Sequence, residues 1–166
     1  MRRFTAVVAL FTAGLASLIL ATATPASADS PTARYRIADI DSRTFATASS
    51  TTRLVTMQPP STAVGPQHWV FSDTTLGTRV TNVATGGCLG IPTAWSTVYP
   101  PIVQEPCDNR STEYWRIVSS TTSVVIFRNV GRDGCMTIEP SSTAAARLFL
   151  TPCQNDDRNQ HFRLVA

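Results

Sequence analysis

Lysine is missing altogether from the 166 residues: all 14 basic side chains are arginine, a usage typical of Ala- and Thr-rich, high-GC bacterial coding. None of the four cysteines forms a Cys-x-x-Cys pair, and the two histidines lie elsewhere, so the ligand spacing of a zinc site is absent. There is no Gly-x-Ser-x-Gly turn to carry an acyl-transfer nucleophile. No window beyond the N-terminal segment carries a helical hydrophobic period, and no composition shift or long Ser/Gly run marks a second domain. A metal, a cofactor and an active site are therefore not expected.

The one long apolar run, Ala6 to Ala21, follows Arg2-Arg3 and leads to Ala26-Ser27-Ala28 before Asp29. It is interrupted by Thr12, Gly14 and Ser17 and falls short of the ~20 apolar residues a spanning helix needs. The pattern is that of a secretory signal peptide over 1–28, giving an extracellular mature chain of 138 residues, 29–166, enough for a single core. Removal of Arg2 and Arg3 leaves 12 arginines against 11 acids, a net charge of +1. Near-neutrality argues against nucleic acid and against an anionic membrane as partners. A monomer is expected.

What the chain does have is repetition. The triplet Gln67-His68-Trp69 returns as Glu113-Tyr114-Trp115 and as Gln160-His161-Phe162, so the aromatics step by 46 and 47 residues. The cysteines keep the step: Cys88 to Cys135 is 47 residues and Cys107 to Cys153 is 46. Four cysteines in an exported chain predict two disulfides, and the repeat selects Cys88 with Cys107 and Cys135 with Cys153, each within one unit. The first unit has no cysteine and should be the least constrained.

Each unit reads as four short strands. Val80-Thr81-Asn82-Val83 and Phe127-Arg128-Asn129-Val130 open the second and third, followed by Gly86-Gly87 and Asp133-Gly134, which predict tight primed hairpin turns. Pro140 and Pro152 bracket Ser141 to Leu150, which reads as a loop and then a strand. Units of this size, at about 33–72, 73–119 and 120–166, cannot each bury an apolar face alone. Twelve strands closing about a shared threefold axis make an all-β fold, the β-trefoil.

Asn-Val, a turn, Cys-Leu-x-Ile, a long loop, Cys and then Gln-x-Trp, as it stands in Asn82 to Ile117 and Asn129 to Leu164, resembles the ricin-type β-trefoil lectins. The resemblance covers the mature chain, strongly in the second and third units and weakly in the first. It implies structural roles for Gln67, Trp69, Glu113, Trp115, Gln160 and Phe162, with Glu113 a departure because a carboxylate cannot donate as an amide does. It also implies one shallow sugar pocket per unit, built on an Asp two residues after the first Cys, an aromatic two before the second, and an Asn just before the Gln. The second unit has Gly90, Glu105 and Thr112 there, and the third has Thr137, Thr151 and Asn159. The first, more loosely aligned, has Ala46, Gln58 or Pro59, and Pro66. Only Asn159 fits.

Saccharide binding is therefore expected to be weak or lost, with Trp95 and Tyr99 on the loop from Pro92 to Pro101 as replacement stacking rings unless they merely cover the core. Asp156 and Asn159 are candidate polar contacts. His68 and His161 should face outward, as should Asp39 and Asp41, and Asp156-Asp157 suits a solvated turn better than paired acid–base work. Asn109-Arg110-Ser111 matches a glycosylation acceptor that a bacterial source would leave idle. The expected partner is a polysaccharide or glycoconjugate. The alternative is a secreted protein target, held as a protease inhibitor holds its enzyme by the loops Pro59-Pro60 and Pro92 to Pro101.

Overall fold

The computed structural model describes residues 33–95, 97–119, 121–140 and 145–166. The expected signal peptide lies outside them. The described residues form twelve strands in three sets of four. The first set is β1 (Arg34–Asp39), β2 (Phe45–Ala48), β3 (Val55–Gln58) and β4 (Trp69–Thr74). The second is β5 (Gly77–Asn82), β6 (Cys88–Gly90), β7 (Val103–Glu105) and β8 (Tyr114–Ser119), and the third β9 (Val125–Asn129), β10 (Cys135–Ile138), β11 (Ala146–Thr151) and β12 (Phe162–Val165). Single 3-10 turns, Ser111–Glu113 and Arg158–Gln160, precede β8 and β12.

The outer strands of each set pair in a closed ring, β1 to β4, β4 to β5, β5 to β8, β8 to β9, β9 to β12 and β12 back to β1. Closure removes every strand edge from this barrel. The inner strands make three hairpins, and these meet one another: Ala146 pairs with Met57, Leu54 with Val103, and Pro101 with Phe149. Barrel and hairpin cap together are the β-trefoil.

Trp69, Trp115 and Phe162 are fully buried, and Phe127 lies among them, 6.3 Å from the Trp115 ring and 5.7 Å from Phe162. The indole N–H groups find equivalent acceptors, Trp69 Nε1 donating to Ala46 O at 3.0 Å and Trp115 Nε1 to Leu89 O at 2.8 Å. Each indole thus satisfies its one polar atom on its own unit's second strand, β2 or β6.

The turns after β5 and β9 differ from the tight two-residue hairpins expected. Only Gly86 (φ 70°) and Asp133 (φ 53°) are left-handed, and Arg43 (φ 57°) takes the same place in the first unit. The residue four before each, Asn82, Asn129 and Asp39, organises a wider turn by accepting backbone N–H groups on its side chain, as at Thr85, Arg132 and Ser42. Gly134 serves close packing instead: a Cβ there would lie 2.8 Å from Leu150 Cγ and from Thr151 O. Asp39, expected to face water, is buried for the same reason, while Asp41 is exposed and pairs with Arg158.

Candidate functional site

Strand registers align the three family-type pockets. Phe45 stands opposite Gln58, Cys88 opposite Glu105 and Cys135 opposite Thr151. The position two beyond Phe45 is Thr47 in the first unit, not Ala46, and the residue opposite Phe45 across the hairpin is Gln58, not Pro59.

In the first and third units the pocket positions are engaged in the protein's own hydrogen bonds. In the third unit the Thr137 and Thr151 hydroxyls bond each other at 2.6 Å, and Gln160 Nε2 donates to Thr151 Oγ1 at 3.0 Å. Asn159 donates to Asp157 Oδ1 from both its backbone N and Nδ2 at 3.0 Å, and Asp156 stands exposed in the adjoining turn. In the first unit Gln67 Nε2 donates to Thr47 Oγ1 at 3.1 Å and Pro59 O at 2.8 Å. In the second, a Cβ on Gly90 would come within 2.9 Å of Thr112 O, so no carboxylate fits there.

Glu113 shows why the second unit can depart from glutamine. Gln67 and Gln160 each accept one backbone N–H, from Ser61 and Gln154, and donate to a proline carbonyl. Glu113, buried and without a donor, accepts from Asp108 N at 3.1 Å, Asn109 N at 3.0 Å and Arg110 Nε at 3.0 Å. Its hydrogen bond raises the Arg110 pKa above the ordinary value, and the nearby Glu105 adds to the effect. Arg110 also meets Glu105 at 2.9 Å, and Arg53 reaches Glu105 from the first unit at 3.1 Å. Where the resemblance implies a sugar-stacking ring, this unit holds an ion-pair network.

Trp95 and Tyr99 are outside these pockets and are 45% and 54% exposed. With Leu54, Val98, Pro101 and Phe149 they border a hollow of about 480 Å³ that also admits Arg147. Arg147 is tied to Glu139 at 3.2 Å, a hydrogen bond that holds the Glu139 carboxyl below its usual range. The Trp95 backbone is held by Arg132, whose Nη2 donates to Trp95 O at 3.2 Å. Leu54, Phe149 and Arg132 carry no signal in the sequence, since the cap brings them from the other two units. His68 and His161 bond backbone of their own loops, at Gly65 N and Asn155 O. Among the described residues no three His, Cys, Asp or Glu side chains cluster as a metal site, and no helix is long and apolar enough to cross a membrane.

The family profile described as ricin-type beta-trefoil lectin domain-like matches residues 65–151, just over half of the chain. The chain belongs to this family. Its fold is that of a carbohydrate-binding type of module. No curated protein matches the chain. Among solved structures, it is similar to ThreeFoil, a designed threefold-symmetric protein, with TM-score 0.73 and 17% identity over 80% of this chain and 98% of that one. A ricin B-like lectin from Macrolepiota procera, in complex with lactose, gives TM-score 0.69 and 14% identity over 82% and 96%. An exo-beta-1,3-galactanase from Clostridium thermocellum gives 0.71 and 14% over 80% of this chain and 30% of the enzyme.

Proposed function

We propose that residues 29–166 form a secreted, non-catalytic saccharide-binding module whose contact surface has moved from the three family pockets to the loop of Trp95 and Tyr99. The observation that carries this is a contrast within the lectin scaffold: the pocket positions are taken up by internal hydrogen bonds in the first and third units and by ion pairs at Glu105 in the second, whereas two aromatic rings stand half exposed on an open hollow. An exposed ring packs on the apolar C–H face of a sugar, and this adds little to the stability of the protein itself. Two intra-unit disulfides suit an oxidising, extracellular setting. The likeness to a segment covering 30% of a galactanase chain favours a module that accompanies polysaccharide chemistry without performing it.

A single shallow site binds at about the mM level, close to −4 kcal/mol, so useful retention needs a polymeric ligand or several modules. A glycan array and polysaccharide pull-down test the reading. Weak binding is expected, reduced about fivefold in Trp95→Ala, since ring stacking contributes roughly 1 kcal/mol. An unchanged affinity removes the ring from the site, and nanomolar binding to one simple sugar contradicts the closure of the pockets.

The second reading is a protein ligand gripped by the same loop, favoured by the apolar exposure of Val98 (84%) and Leu54 (37%). Inhibition within a panel of secreted proteases supports it, and uniformly full protease activity counts against it.

A further inference from the structure

Trp95 borders two hollows, not one. Beside the hollow of Tyr99, Val98 and Phe149 lies a second of about 600 Å³, walled by Thr93, Ala94, Glu105, Asp108 and Arg110. Leu54, Trp95 and Pro101 line both, so the two hollows lie side by side with Trp95 between them as shared wall. Arg53 and Leu54 come from the first unit, residues 92–110 from the second, and Arg147 and Phe149 from the third. The groove crosses the seams between repeats, unlike the family pockets, which belong to one unit each.

Each hollow alone lies in the range of roughly 300–1,000 Å³ that accepts a drug-sized ligand, more than one sugar ring requires. The lining is amphipathic. One end offers the Tyr99 and Phe149 rings, and the other offers the Thr93 hydroxyl and the Asp108 carboxylate. Its charges are already matched: Arg53 with Glu105 at 3.1 Å, Arg110 with Glu105 at 2.9 Å and Asp108 at 3.4 Å, and Arg147 with Glu139 at 3.2 Å. A charged ligand would have to break these pairs, whereas hydroxyl groups can bond around them. A ribbon with apolar faces and hydroxyl edges fits, and β-linked pyranoses with equatorial substituents form such a ribbon.

Building on the reading above, we propose that the two hollows act as one groove for consecutive units of a neutral β-linked glycan. The module then recognises the interior of a polysaccharide chain instead of a terminal sugar.

Calorimetric titration with cello-, laminari- and chito-oligosaccharides of one to six units tests this, with maltohexaose as the α-linked control and hexagalacturonate as the acidic one. In at least one β-linked series, affinity should rise at least tenfold from monosaccharide to tetrasaccharide and collapse in Trp95→Ala. Tyr99→Ala in one hollow and Ala94→Arg in the other should each weaken the tetrasaccharide about tenfold, with unchanged melting showing that both variants fold. A monosaccharide bound as tightly as the hexamer, yet lost in Trp95→Ala, leaves the saccharide site standing and overturns the groove. So does a tetrasaccharide indifferent to either hollow's variant. Preference for maltohexaose or hexagalacturonate overturns the ligand class. If no sugar of any length or linkage binds, the saccharide reading itself fails and the groove with it.

Discussion

A buried side chain is selected by the bonds its surroundings leave open, and Glu113 illustrates this at the scale of one residue. The family's glutamine places a donor and an acceptor, but the loop after Cys107 turns two backbone N–H groups and the Arg110 guanidinium toward the same spot, and all three require an acceptor. Glu113→Gln, although it restores the usual triplet, should therefore destabilise the protein by about 1–3 kcal/mol in chemical denaturation, because an amide N–H then confronts a donor. Asp41 and Glu139 belong to this scale as well. Their carboxyls titrate below the ordinary values because Arg158 and Arg147 donate to them. A depressed folded pKa favours the native state above the unfolded carboxylate range, about pH 4, and that contribution is lost as pH falls through the folded value. The acid limb of a stability–pH curve should flatten in the double variant Asp41→Asn, Glu139→Gln. The pairing of residues this distant in sequence, 41 with 158, was invisible along the chain, whereas the acceptor-only nature of Glu113 was legible from its chemistry alone.

At the scale of elements, the three units are clipped to each other by one recurring device. Asn82 Nδ2 donates to Pro66 O and His68 O, and Asn129 Nδ2 to Thr112 O and Tyr114 O, tying the start of one unit to the closing triplet of the one before. The registers are equivalent, Trp69 with Asn82, Trp115 with Asn129 and Phe162 with Asp39. Only the third clip carries a carboxylate, which cannot donate to the carbonyls of Asn159 and His161. Asp39→Asn should supply the missing bonds, raising stability by about 1 kcal/mol, read as a higher denaturation midpoint at unchanged m-value. A lower midpoint would show that the acid is preferred there. Strand existence was readable from the period-two pattern. The turn type was not, because Gly86-Gly87 looks like a primed hairpin until the Asn82 side chain is seen to widen it.

At the scale of the molecule, stability is unevenly shared. Cys88–Cys107 and Cys135–Cys153 close loops of 19 and 18 residues, each contributing roughly 3 kcal/mol in the chain-entropy account, and both lie outside the first unit. Amide exchange under oxidising conditions should be fastest in β2 and β3, and reduction should remove the contrast with β6 and β10; uniform protection throughout would show that the barrel, not the disulfides, sets local stability. The sequence by itself determined the architecture, since a step of 46 or 47 residues in aromatics and cysteines leaves few ways to bury three incomplete cores except around one axis. It also set which residue types stand at the family pocket positions, because residue type at fixed spacing is read directly from the chain. Only the tertiary structure decided which side chains meet around Trp95. The hollow at Trp95 is lined from all three units, and residues 54, 95 and 149 come together around it through cap packing, which leaves no local periodicity to read.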